Sequence, residues 1–309
     1  MPPKMRLVLK DPAGQSQGHT DGRVGHFLRA VIREGEPKLP EDDVGLALRF
    51  GPPLWVFESV ANAWGREEAE DFFRVSQSEA ARTARLRSGR PPDGAAPVAG
   101  VEGAFDLPAD APVPDNMVIQ DGSSIAVGLV LDPQPGDRVL DLAAAPGGKS
   151  MHIVDQLNGD GVVIASDGHI RRVRSAVRRL QDTPARWCVA DGRRSPFRSH
   201  SFDRVLVDAP CTGLGTLRRR PEIRHRVEEA DLSALATLQD RMLAEALRVV
   251  RPTGVIVYSV CTVTPSETVD VVTGHDARPP DLDLPGRALG PGWLLAPHLG
   301  PTDGMFIAV

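Results

Sequence analysis

Arg138-Val139-Leu140-Asp141-Leu142-Ala143-Ala144-Ala145-Pro146-Gly147-Gly148-Lys149-Ser150 is the stretch on which the fold turns. It reads as a short apolar strand, a carboxylate, a loop of small residues and a glycine pair that opens a helix running to Leu157. Small side chains let a ligand approach the backbone, and the open N–H groups of a helix start suit an anionic group. Outward from this stretch the same rhythm repeats. Strands are predicted at 162–165, 185–189, 204–207 and 254–259, with helices at 170–180 and 232–250 between them. Strand–helix alternation of this kind predicts parallel βαβ units, with ligands at the carboxyl edge of the sheet. Met305-Phe306-Ile307-Ala308-Val309 is expected to add a short edge or antiparallel strand.

Before Gln120 the pattern differs. Residues 1–22 are polar and aperiodic and are expected to be disordered. From Val24 to Ala63 apolar residues recur at helical spacing, and Arg66 to Val75 predicts a further helix with Phe72-Phe73 facing inward. Trp55 and Trp64 are expected in the core of this segment. Residues 88–100 are turn-rich. This divides the chain into a lead (1–22), a helical segment (23–80), a small α/β segment (81–119) and a main α/β domain (120–309).

The chain has 309 residues, a formal net charge of -5 and 25% charged residues, which is ordinary soluble composition. No apolar run reaches a membrane span, and Met1-Pro2-Pro3-Lys4 lacks the apolar core of a signal peptide. With three cysteines, a disulfide framework is excluded and a reducing compartment, the cytoplasm, is expected. The eight histidines show no metal-ligand spacing. Charge is uneven: Arg171, Arg172, Arg174, Arg178 and Arg179 crowd one segment, and Arg218, Arg219, Arg220, Arg224 and Arg226 another. Such local basic faces can bind phosphates despite the negative sum.

Two ligand classes fit the glycine loop. Gly148-Lys149-Ser150 ends like a P-loop, with Ala143 in place of the first glycine and 205–208 as a possible magnesium-binding strand. The other class is S-adenosylmethionine, which needs acidic residues on successive strand ends. Asp141, Asp167 and Asp191 provide them. A carboxylate at the second strand end accepts from ribose hydroxyls. A P-loop enzyme needs none of these, and Pro146 would stiffen a loop that must wrap phosphates, so the methyl donor is the stronger reading.

Two cysteines stand where chemistry would be done. Cys211 follows the run 205–207 and Asp208-Ala209-Pro210, and Cys261 follows Val255-Ile256-Val257-Tyr258-Ser259-Val260. Each ends a predicted strand at the ligand edge, which suggests paired thiol chemistry. Cys188 lies within a strand and is expected in the core.

On the loop 139–150, on Asp208-Ala209-Pro210-Cys211-Thr212-Gly213-Leu214-Gly215-Thr216, on Arg218 to Pro221, on Tyr258-Ser259-Val260-Cys261-Thr262 with Glu267 and on Asp303 to Ala308, the chain resembles the RNA (cytosine-5) methyltransferases of the Sun/Fmu type, most of all the branch acting on bacterial 16S rRNA. The resemblance runs from about Gly25 to the end. It implies a Rossmann-like, seven-stranded class I methyltransferase sheet, preceded by a helical RNA-binding domain that is here shortened. It implies a donor site of Ala143, Ala144, Ala145, Pro146, Gly147, Gly148, Lys149, Asp167, Arg172, Asp191 and Asp208. Cys261 would be the nucleophile and Cys211 the thiol that assists product release. Asp208 would hold the N3 and amino edge of cytosine, with Lys149 neutralising charge, and Tyr258 would pack beneath the nucleophile. Arg218, Arg219, Arg220 and Arg224 would grip RNA phosphates.

The chemistry explains the need. Carbon 5 of cytosine is a poor nucleophile, and adding a thiolate at carbon 6 makes it enamine-like. Only the thiolate is reactive, so a lowered Cys261 pKa is expected. The implied partner is RNA, here 16S rRNA, and a monomer is expected. A non-catalytic RNA-binding or ribosome-assembly paralogue that keeps the fold stays open as the alternative, favoured by the short helical segment.

Overall fold

The computed structural model describes residues 39–180 and 183–309. The expected disordered lead and the helical pattern of Phe27, Leu28, Val31 and Ile32 lie outside them.

Three helices open the described chain: α1 (Asp43–Phe50), α2 (Leu54–Trp64) and α3 (Arg66–Val75). Asp42 caps α1 by accepting from Gly45 N at 2.9 Å, the usual role of a short carboxylate at that position. Val56, Phe57, Val60, Phe72 and Phe73 are buried and pack against Leu214, Leu217, Val263 and Leu294. The helices therefore rest on the segments that follow Cys211 and Cys261. Trp55 and Trp64 are only partly buried, at the margin of this cluster instead of its centre. Trp64 stacks on His298 at 5.9 Å, with Arg287 over its face at 5.6 Å.

The segment expected to be α/β holds strands alone: β1 (Thr83–Leu86), β2 (Ala96–Pro97), β3 (Ala104–Asp106) and β4 (Met117–Ile119), in the order β2-β3-β1-β4. Every pairing is antiparallel. Glycines at positive φ (Gly89, Gly94, Gly100 and Gly103) close its turns, which no helical period could span. An ion-pair triad fastens it to the main domain. Asp155 receives Arg85 Nη2 at 2.6 Å and Arg87 Nη2 at 2.8 Å. Burial opposes ionisation of Asp155, and the two guanidinium groups outweigh it, so its pKa is lowered.

The main sheet comprises β5 (Arg138–Asp141), β6 (Val162–Asp167), β7 (Arg186–Val189), β8 (Phe202–Asp208), β9 (Val250–Val260), β10 (Arg287–Leu289), β11 (Gly292–Leu295) and β12 (Met305–Ala308), in the order β10-β11-β12-β9-β8-β5-β6-β7. Strands β7-β6-β5-β8-β9 are parallel and the other three antiparallel. The expected count of seven rises to eight with the three-residue edge strand β10. The flanking helices are α4 (Gly122–Leu131), α5 (Gly148–Leu157), α6 (Ile170–Arg179), α7 (Glu229–Val249) and the single turn α8 (Val269–Val272).

Two expectations change here. The closing strand β12 is antiparallel but not an edge: it lies between β9 and β11, and Met305 to Ala308 are all buried, as an apolar run without alternation requires. Cys188 sits on β7, which is the opposite edge, and is half-exposed, not core.

Candidate active site

The parallel register brings the chemistry to one edge. Asp141 pairs with Leu206 across β5 and β8, and Asp208 with Ser259 across β8 and β9. The loops leaving β5, β8 and β9 thus open side by side. Between them lies a cleft of about 650 Å³ whose wall includes Ala143, Lys149, Asp208, Cys211, Arg220 and Cys261.

The two thiols face each other, with Sγ to Sγ 3.4 Å, and both are free and half-buried. Cys261 has a lowered pKa. The Cys211 S–H hydrogen bond is the largest cause, burial and Asp208 oppose it, and Lys149 and Arg220 favour the thiolate. Cys211 is the converse. Its bond to Cys261, burial, the Cys261 charge and Glu267 all push its pKa well up. The two shifts are opposed: they favour the thiolate at Cys261 and the proton on Cys211.

Lys149, at the start of α5, reaches Asp208 Oδ2 at 2.9 Å and Ser124 Oγ at 3.3 Å. Burial would lower its pKa, but the Asp208 charge and hydrogen bond outweigh that and raise it. The other Asp208 oxygen accepts from Ser259 Oγ at 2.9 Å. Tyr258 lies beneath, buried, its hydroxyl donating to Glu267 O at 2.8 Å.

The donor loop is shaped by contacts on both sides. Gly147 has φ 102°, and a Cβ there would lie 2.4 Å from Leu180 Cδ1, so only glycine fits. A Cβ on Gly148 would meet nothing within 4 Å, leaving backbone N–H groups open toward the cleft. Arg172 donates to Ala145 O and lies 3.3 Å from Asp167 Oδ2, while Arg179 donates to Pro146 O. Asp167 is buried, with Oδ1 accepting from His169 N at 2.9 Å and Oδ2 without a hydrogen bond. A buried carboxylate oxygen met only by the Arg172 charge, with no hydrogen bond, and an open helix start suit a ligand with hydroxyls and a carboxylate, as S-adenosylmethionine has.

Of the donor residues expected from the sequence, Ala143 to Pro146, Gly148, Lys149, Arg172 and Asp208 line the cleft. Gly147, Asp167 and Asp191 stand outside its wall. Asp191 is half-exposed and closed against Arg193, whose side chain and N–H hold its carboxyl at about 2. Asp141 is buried and also lines the cleft. Burial raises its pKa to about 7, against the Ser150 hydroxyl that donates to it at 2.6 Å. Ser150 is completely buried and does not line the cleft, which disfavours the P-loop alternative.

The arginine cluster divides. Arg218 and Arg219 bond Asp303 at 3.3 and 2.7 Å, and Arg219 also pairs with Asp121 at 2.9 Å. Arg224 donates to Phe50 O at 2.8 Å, tying α1 to the site. Arg220 and Arg226 line the cleft and make no side-chain hydrogen bond or ion pair among the described residues. The 213–216 turn is welded to the closing segment: Gly304 N donates to Gly215 O at 2.8 Å, and a Cβ on Gly304 would lie 2.6 Å from Gly215 Cα.

Sequence reading missed what lies behind the thiols. Glu267 was quoted without a role, yet its buried carboxylate accepts from residues next to both cysteines. The repeated Cys-Thr pair, Cys211-Thr212 and Cys261-Thr262, was the available signal.

Residues 128–309 match the family model for 16S rRNA methyltransferase RsmB/F. A Bacillus subtilis protein described as "Probable ribosomal RNA small subunit methyltransferase B" is 33% identical over 92% of this chain and 72% of its own length. The crystal structure of a methyltransferase homologue from Pyrococcus horikoshii aligns with a TM-score of 0.69 and 26% identity, over 87% of this chain and 98% of that one. NSun6 from the same organism, solved with SFG, shares the fold with a TM-score of 0.71 at 19% identity, over 83% of this chain and 97% of that one. No described helix is long and apolar enough to cross a membrane.

Proposed function

Because the chain belongs to the 16S rRNA methyltransferase RsmB/F family, an S-adenosylmethionine-dependent class, we propose that it methylates carbon 5 of a cytidine in 16S rRNA through a covalent bond to Cys261. The observation that carries this reading is the pair of sulfurs 3.4 Å apart, with opposed pKa shifts, on the wall of one cleft.

The target base, unpaired or flipped, enters beside Asp208 and Lys149. Cys261 Sγ adds to carbon 6, and the electrons of the carbon 5–carbon 6 double bond move onto the ring, where Lys149 offsets the charge. Residues 143–149, with Asp167 and Arg172, would hold S-adenosylmethionine, whose electrophilic methyl group carbon 5 would take up. With Cys261 now a neutral thioether, the charge that held the Cys211 proton is gone, and Cys211 releases that proton to solvent. Its thiolate then takes the carbon 5 proton, the double bond re-forms, and the carbon 6–sulfur bond breaks to return Cys261 as thiolate. One proton is released per turnover and both sulfurs are restored.

Arg220, with Arg226, meets the phosphates around the base, whereas Arg218, Arg219 and Arg224 build the wall behind them. On the same reading, the helices between Asp43 and Val75 belong to an RNA-binding segment, residues 120–309 are the catalytic domain, and the protein works as a cytoplasmic monomer. A non-catalytic RNA-binding paralogue would have no need of the opposed thiols, and they favour the enzyme.

Methyl incorporation into unmodified 16S rRNA, with bisulfite mapping of the product, tests the activity. Cys261→Ala should abolish incorporation while leaving S-adenosylmethionine binding intact by calorimetry. Cys211→Ala should accumulate a protein–RNA adduct on a denaturing gel. Full activity of Cys261→Ala would end the proposal.

A further inference from the structure

Glu267 is completely buried and does not reach the cleft, yet its carboxylate gathers both cysteine loops. Oε1 accepts from Thr212 N at 2.9 Å and Gln239 Nε2 at 3.2 Å. Oε2 accepts from the hydroxyls of Thr212 at 2.6 Å, Thr262 at 3.1 Å and Thr264 at 2.8 Å. The hydroxyls of Thr212 and Thr262, the residues after the two cysteines, lie 2.6 Å apart; with the Thr212 proton given to Oε2, the single Thr262 proton is shared between Thr212 Oγ1 and Oε2. Gln239, buried on α7, adds a bond to Pro210 O at 2.9 Å, so the residue before Cys211 is held as well.

We propose that Glu267 is a positioning residue that sets the distance between the two sulfurs and assigns one to be the thiolate and the other its proton donor. Cys211 and Cys261 sit on loops from different strands, and nothing covalent fixes their separation. Two backbone bonds join the loops, Gly215 N to Cys261 O at 3.0 Å and Ala209 N to Ser259 O at 2.9 Å. The side-chain bonds that cross between them behind the sulfurs pass through this carboxylate and the threonine pair. A buried acceptor with donors on both oxygens has no low-energy alternative arrangement, which makes the clamp rigid. The assignment of roles follows from charge. Glu267 is among the groups that keep the proton on Cys211, and Cys211 holding its proton is the largest cause of acidity at Cys261. A neutral side chain of the same shape at 267 would remove that bias at its source.

The inference rests on the thiol assignment above but is measurable without RNA or donor. Alkylation of each cysteine by iodoacetamide, resolved by peptide mass spectrometry across pH, reports the two thiols separately. In Glu267→Gln the Cys211 profile should move to lower pH and the Cys261 profile to higher pH, each by about half a unit or more. The kcat for methyl transfer should fall about tenfold or more with donor affinity unchanged, and Glu267→Asp should recover part of the loss. Thr212→Val, isosteric and leaving the Cys261 side of the clamp in place, should shift both profiles in the same directions and guards against a Glu267 variant that fails to fold. Unchanged alkylation profiles in Glu267→Gln, or in Thr212→Val if the former does not fold, would overturn the proposal. Shifted profiles with methylation surviving in Cys261→Ala would instead retain the clamp and remove the covalent reading.

Discussion

Lys149 and Asp208 form an ion pair at 2.9 Å on the cleft wall, with side chains 13% and 29% exposed. Asp208 disfavours the Cys261 thiolate and Lys149 favours it, so the two members of the pair act on that thiol with opposite sign. Asp208→Asn should therefore make Cys261 alkylate faster at neutral pH while methyl transfer falls about a hundredfold, the base losing its acceptor. Lys149→Met should slow both. Alkylation and single-turnover rates on the same preparations check the split.

Arg220 separates from its neighbours in sequence by having no protein partner among the described residues. Arg220→Ala should weaken RNA binding and reduce the slope of log affinity against log salt by about one, with thermal stability unchanged. Arg219→Ala should lower stability as well, since it leaves the buried Asp303 with Arg218 alone and frees Asp121 of its partner. Filter binding at several salt concentrations with parallel melts distinguishes the two.

Asp141 makes stability depend on pH. Its carboxyl is raised to about 7 in the fold, against about 3.9 in an unfolded chain. The folded state holds the proton more tightly, so the stability this confers is full below about pH 4 and is lost as pH rises through about 7. Asp141→Asn cannot ionise. Its unfolding free energy relative to the unaltered protein should rise between those limits by up to about 4 kcal/mol, read from denaturant melts at several pH values.

Asp155 joins the small sheet to the main domain. Asp155→Ala leaves Arg85, 4% exposed, without its counter-charge, and breaking a buried pair in this way costs about 3 kcal/mol or more. Chemical denaturation should show that loss, and limited proteolysis should cut first within residues 83–119.

The parallel half of the fold was legible because its strands are unbroken apolar runs and its helices begin at marked positions. The predicted strand 162–165 and the predicted helix over 148–157 lie where β6 and α5 stand. The antiparallel parts were harder. Strands of two to four residues, such as Ala96–Pro97 and Arg287–Leu289, are too short to show a period, and their pairing is fixed by turns and long-range contacts. At the site, the cysteines and Asp208 announced themselves by standing at strand ends. The split among the arginines did not, because Asp303 and Asp121, which claim Arg218 and Arg219, are remote in sequence. Glu267 stayed silent for the same reason: a carboxylate's partners are invisible until the chain has folded around it.

The seam where Gly215 abuts Gly304 also sets an order of events during synthesis. A nascent chain that already displays both cysteines has no finished pocket wall until residues 303–308 emerge, seat β12 against β9 and bring Asp303 to its arginines. The cleft wall, to which Asp303 and Met305 contribute, is thus the last part of the described fold to be completed.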